Sequence, residues 1–318
     1  MENAAQKKVM SSGYDLAVGG RASGILVLDK PEGLTSAKAA DKIKRLLSPH
    51  KIGHTGTLDP FATGVLVLCL NEATRVADQI TNLDKVYRAT LCFGVETDTL
   101  DRTGKVIRQS DHVCCENDVI DVLGSFSGAC LQTVPRFSAV RVGGRRLYEL
   151  SRKGVEVERP EREIFIHSIM LNYFRWPEAT IEVCCSKGTY IRQLASDVGE
   201  KLGSGAHLSA LRRTRVGPFT LERATRMDRE ICAESTAAEI IPLNEALSHL
   251  PVALMSDDRC LARLKNGQLD PGWEKERKES FQTCADAVRI VTGTNRLAAL
   301  WWPNSASSGS RRLRVFPF

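Results

Sequence analysis

Residues 53–64 (GHTGTLDPFATG) constrain the fold of this chain more than any other stretch. Glycines at 53, 56 and 64 admit backbone conformations and close approaches that other residues resist. Asp59 precedes Pro60, which pushes the aspartate towards extended backbone and keeps it out of a helix. The stretch is therefore expected to be a loop, with regular structure on both sides. Upstream, residues 24–31 (GILVLDKP) read as a short buried strand halted by a Pro-Glu-Gly turn. Thr35-Ser36 then offers an N-cap for a helix over residues 37–47. Ala39, Ala40, Ile43, Leu46 and Leu47 recur there at helical spacing, among Lys38, Lys42, Lys44 and Arg45. Downstream, residues 65–70 (VLVLCL) read as a second buried strand.

Alternating stretches at 86–93, 163–173 and 180–185 predict further strands, and residues 118–126 a short helix. Residues 188–202 read as a strand end running into a helix, with Ile191, Leu194, Ala195 and Val198 on one face. The signals are mostly antiparallel and lack a regular strand–helix–strand rhythm, so the class is α+β and not a doubly wound sheet. Composition shifts near residues 242–251. Beyond it come a short helix at 261–264, a polar stretch at 273–279, and strands at 287–291, 297–302 and 313–318. The chain thus divides into a disordered tail at 1–23, a body at 24–245 and a small β-rich module at 246–318. A length of 318 residues, 42% of them hydrophobic, suits about two domains.

A formal charge of +6 fits a nucleic-acid partner without requiring one. No apolar run approaches the ~20 residues that span a bilayer, and residues 1–23 lack the apolar core of a secretory signal. A cytoplasmic protein with no membrane partner is expected. Among the ten cysteines, Cys114-Cys115 and Cys184-Cys185 are adjacent pairs and no C-x-x-C occurs. That spacing does not suit structural zinc, so reduced thiols and no metal are expected. P-loop, dinucleotide, H-E-x-x-H and G-x-S-x-G motifs are missing.

Residue types nominate several sites and leave each open. Asp59 is either an active-site carboxylate on a loop or the centre of an Asx turn, and His54 either a functional or a hydrogen-bonded loop histidine. In residues 186–194 (SKGTYIRQL), Arg192 can pair with a carboxylate or phosphate or lie in solvent. Tyr190 can stack on a base or pack in the core. Residues 84–89 (DKVYRA) begin a strand in which Lys85, Tyr87 and Ala89 share one face. Basic clusters recur in helix 37–47, at Arg141, Arg145, Arg146, Arg152 and Lys153, and at Arg212, Arg213 and Arg215. Three of them together favour contacts with RNA phosphates.

Taken in order, residues 24–33 (GILVLDKPEG), 53–64, 84–88 (DKVYR), 186–192 (SKGTYIR) and 205–213 (GAHLSALRR) resemble the TruB family of tRNA pseudouridine synthases. The resemblance implies an antiparallel sheet core flanked by helices, a central cleft, and a degenerate PUA-like RNA-binding module at the C-terminus. It also implies action on uridine 55 of the tRNA T-loop, without metal or organic cofactor, by a monomer needing no protein partner. On matching positions it implies Asp59 as the essential carboxylate, Arg192 as the partner that keeps Asp59 ionised, and Tyr87 as the residue that stacks on the uracil and acts as base. His54 would fill the space of flipped nucleotides and Tyr190 would line the pocket. Lys30, Leu211 and Arg212, with Arg213, would brace the cleft and the RNA backbone. Phe61 departs from the leucine common in the family, a change of volume beside the loop.

Overall fold

A computed structural model describes residues 23–152, 155, 157–227, 231–283, 286–304 and 312–318. The expected tail falls outside them save for Ser23, as does Lys153, and nothing is described of the Arg146 and Arg152 side chains.

The first strand, β1 (Gly24–Lys30), is buried nearly throughout. Helix α1 (Ser36–Leu47) follows, capped by the Thr35 hydroxyl, which accepts from the Lys38 amide at 3.1 Å. Ala39, Ala40 and Ile43 turn inward, while Lys38, Lys42, Lys44 and Arg45 remain exposed. Strand β2 (Ile52–His54) pairs antiparallel with β3 (Thr63–Leu70), so the irregular part of the expected loop shrinks to residues 55–62. Strand β4 (Lys85–Phe93) alternates as its sequence does: Lys85, Tyr87, Ala89, Leu91 and Phe93 are buried.

Helix α2 (Glu116–Gly124) leads to the edge strand β5 (Gly128–Thr133), then to the long hairpin of β6 (Glu161–Arg175) and β7 (Glu178–Cys185). Helix α3 (Ile191–Lys201) precedes β8 (Ala206–Val216), and the short β9 (Phe219–Thr220) and β10 (Thr225–Arg226) complete the sheet. Its path is β10-β1-β3-β8-β4-β7-β6-β5, with β2 on β3 and β9 on β8. Within this sheet only β1/β10 and β3/β8 are parallel among the described pairs. The sheet is therefore mixed and mainly antiparallel, as expected.

Four more strands, β11 (Val252–Met255), β12 (Val288–Thr292), β13 (Leu297–Trp301) and β14 (Leu313–Val315), make a separate small sheet. Its helices are α4 (Asp258–Lys265) and α5 (Pro271–Ser280). The polar composition of 273–279 hid α5, although its start signals are present. Asp270 accepts from the Gly272 and Trp273 amides at 3.0 and 3.1 Å, and Pro271 occupies the first turn.

Candidate active site

Three connections hold residues 55–62 against the sheet. The Ser36 hydroxyl, buried at the start of α1, donates to the Leu58 carbonyl at 3.0 Å and accepts from the Leu58 amide at 2.8 Å. The Gly33 amide donates to the Pro60 carbonyl at 2.8 Å. Leu58, Phe61 and Ala62 anchor in the main core, so phenylalanine at 61 is accommodated as a core side chain. Between these anchors Asp59 turns the other way, keeping 34% of its side-chain surface exposed. Its carboxylate oxygens meet Arg192 rather than forming an Asx turn: Nε lies 2.9 Å from Oδ2, and Nη2 donates to Oδ1 at 3.4 Å.

Arg192 stands in the first turn of α3 with only 7% of its side chain exposed. It donates to the Thr99 and Phe137 carbonyls at 2.9 Å each, and Asp101 lies 3.6 Å from Nη1. Asp101 is itself buried and fastened by the Thr103 amide at 2.9 Å and hydroxyl at 2.6 Å. A guanidinium so fully committed cannot swing away, and it fixes Asp59 in turn. Burial is nevertheless the largest influence on Asp59 and holds its carboxyl above the ordinary value. Arg192 and Lys30 oppose that push, and Asp101 adds to it. The arginine orients the carboxylate without overcoming the low-dielectric wall around it.

Tyr87 is 9% exposed on β4, directly across the ladder from Arg213 on β8. Burial raises its hydroxyl pKa, an effect partly offset by the positive charge of Arg213 beside it. At neutral pH it is a phenol. His54 is partly buried, and burial with the nearby Arg213 lowers its pKa, so its ring is neutral. Nδ1 is enclosed without a hydrogen-bond partner among the described residues. Tyr190 caps the entry to α3: its amide donates to Gln132 Oε1 at 2.8 Å, its carbonyl accepts from Gln132 Nε2 at 3.0 Å, and the Arg162 guanidinium lies 5.4 Å from its ring centre.

The family model described as TruB family pseudouridylate synthase, N-terminal domain, matches residues 44–191. That for the tRNA pseudouridylate synthase B C-terminal domain matches 192–248. The tRNA pseudouridine synthase B of Syntrophobacter fumaroxidans is 52% identical over 298 residues, 92% of this chain and 97% of that protein. The chain belongs to the TruB family. As a member it is an isomerase that makes pseudouridine from uridine in tRNA. The Bacillus licheniformis tRNA pseudouridine synthase B is 39% identical over 90% of this chain and 95% of its own. Among solved structures, a Cbf5-Nop10-Gar1 complex matches with TM-score 0.66 at 27% identity, over 92% of this chain and 84% of that one. An H/ACA RNP bound to a substrate RNA containing 2′-deoxyuridine matches with TM-score 0.63 at 25% identity over the same shares.

Within this TruB fold Asp59 meets Arg192, Tyr87 lies across the ladder from Arg213, and Tyr190 stands at the head of α3 against Gln132 and Arg162. Lys30 is fully buried, its ammonium donating to the Leu34 and Pro31 carbonyls at 2.7 and 2.9 Å and reaching Pro60 at 3.5 Å. It ties the loop from beneath. Arg212 points to the opposite face of β8 from Leu211 and Arg213, pairing with Asp29 at 2.7 Å. Leu211 is buried on the cleft side, 8% exposed. Asp101 escaped the sequence reading because the eight-residue turn around it, 97–104 (TDTLDRTG), carries no recognised pattern. Arg213 was grouped with surface arginines, although β-alternation from Leu211 places it inward. Arg141, Arg145 and Arg215 are exposed. No described helix is long and apolar enough to cross a membrane, and the described residues contain no cluster of metal-ligating side chains.

Proposed function

We propose that this chain converts uridine 55 in the T-loop of tRNA to pseudouridine, acting in the cytoplasm as a monomer without metal, organic cofactor or obligatory protein partner. The observation that carries the reading is one carboxylate, Asp59, partly exposed and gripped side-on by a buried arginine, with a buried tyrosine nearby. The isomerisation breaks N1–C1′, turns the uracil and joins C5 to C1′. Asp59 acts on the nucleotide as nucleophile or base, each requiring the ionised form. Arg192 orients it, and Tyr87 packs on the uracil and exchanges protons with it. The uridine reaches Asp59 only by flipping from the loop, which costs a few kcal/mol. His54, neutral and half-buried, suits the space left behind, and Tyr190 lines the pocket. Exposed cations of α1, with Arg141 and Arg145, supply phosphate contacts. The small C-terminal sheet serves as a PUA-like RNA-holding module.

The Cbf5-Nop10-Gar1 complex and the H/ACA RNP among the similar structures favour a second reading, guide-RNA-dependent modification. Purified protein and an unmodified tRNA transcript, with no guide or partner, separate the two. Pseudouridine at position 55 is expected; none would sink the stand-alone reading. Asp59→Asn is expected to abolish product while tRNA affinity stays within about tenfold, because phosphate contacts dominate binding. Turnover by that variant would remove Asp59 from its role, whereas tRNA binding without product by the native protein would mark a tRNA-binding protein that does no chemistry.

A further inference from the structure

Arg213 is 2% exposed, and the partners of its guanidinium are neutral oxygens. Nε donates to the Val65 carbonyl at 2.7 Å and Nη2 to the Gly56 carbonyl at 3.0 Å, and Tyr87, its partner directly across the β4/β8 ladder, is buried on the same face. A buried cation matched only by dipoles is expensive to keep, and hydrogen bonding alone could be met by uncharged groups. Its backbone is fixed with equal care. Gly64 lies beside it in the parallel β3/β8 pairing, with φ +102°, and a Cβ there would stand 2.2 Å from the Arg213 carbonyl oxygen. Its charge is near enough to weigh on Lys30, His54, Lys85 and Tyr87.

We propose that Arg213 is a positioning residue for the proton exchange of the isomerisation: buried across the ladder from Tyr87, it sets its guanidinium beside the phenol that faces the uracil. This rests on the site reading above. Pseudouridine formation removes a proton from C5 and adds one to N1. A phenol does both without a net change of its own: Tyr87 gives its hydroxyl proton to N1 and takes the C5 proton back. Negative charge builds on its oxygen between the two transfers, and Arg213 is fixed where that charge appears. The same arginine holds Gly56, three residues before Asp59, so the two ends of the reaction share one brace.

The test uses full-length protein in excess over a tRNA transcript, unlabelled or carrying deuterium at uracil C5. Arg213→Met is expected to slow single turnover about 100-fold, the scale for losing a preorganised donor, with tRNA affinity within about threefold since it touches no phosphate. Its C5 isotope effect should exceed that of the native protein by about twofold or more, because proton transfer becomes limiting. Arg213→Lys keeps the charge and should recover about tenfold of the rate. If Arg213→Met does not fold, the isotope comparison is made on Arg213→Lys, where the same rise is expected in smaller measure. An isotope effect unchanged from native in the folded variant overturns the inference, since a structural brace alone slows the reaction without exposing the C5 step. Turnover by Asp59→Asn would overturn the site reading itself, a separate outcome.

Discussion

Burial lifts the Asp59 carboxyl above its ordinary value of 3.8 even with Arg192 in contact, so the ionised form it needs is lost sooner on acidification. The protonated acid can neither attack nor accept a proton. Activity should therefore fall as pH drops through the raised pKa, with the acid limb of kcat/KM above pH 3.8. A limb at or below the ordinary carboxylate value would contradict this. Arg192 offers a different lever. Lysine in its place keeps the charge but loses the fork that spans Asp59, Thr99 and Phe137. Single turnover by Arg192→Lys should drop about 100-fold or more, on the scale of losing an oriented active-site partner. Near-native turnover would remove the ion pair from the mechanism.

At the scale of elements, the catalytic loop is positioned by its neighbours, and α1 matters most. Thr35 and Ser36 are adjacent hydroxyls with separate tasks: Thr35 caps the helix, whereas Ser36 grips Leu58 through both backbone groups. Ser36→Ala leaves two buried backbone groups unpaired, which costs about 1–3 kcal/mol each, and should lower kcat while tRNA affinity holds. Thr35→Ala should cost about 1 kcal/mol of stability with kcat unchanged. Denaturant melts and single-turnover assays separate the pair; equal losses of kcat would show that α1 acts as one unit. Helix α1, strands β1, β3 and β4, and the start of α3 were legible because apolar spacing and caps lie within each segment. Helix α5 was not, since a largely exposed helix carries little apolar periodicity to read.

Across the whole molecule the small C-terminal sheet is welded to the larger one. Ala287, Leu297, Leu300 and Phe316 share a core with Ile25, Val27, Val65 and Val67, on the face of β1 and β3 opposite the catalytic loop. Arg289 adds a polar clasp, donating to the Asn244 carbonyl at 2.7 Å and the Leu250 carbonyl at 3.1 Å. Leu300→Ala should therefore destabilise the molecule by about 2–5 kcal/mol, the range for emptying a buried leucine site, in one cooperative transition. Two resolved transitions would mean that the small sheet folds independently.

The sequence by itself determined the α+β class, the strand–helix–loop–strand order around Asp59, and, through five ordered motifs, the family. Each of these is written in local spacing or contiguous residues. It also nominated Asp59, Tyr87 and Arg192, while residue types alone left each open to an ordinary structural role. Only the tertiary structure brought them together, because Asp59, Tyr87, Asp101, Arg192 and Arg213 sit on five separate segments whose meeting depends on sheet order. It also showed Lys30 bonded to backbone carbonyls beneath the loop and Arg212, still partly exposed, paired with Asp29. Whether a lysine or arginine meets solvent or a buried carbonyl is settled by what packs against it from elsewhere in the chain.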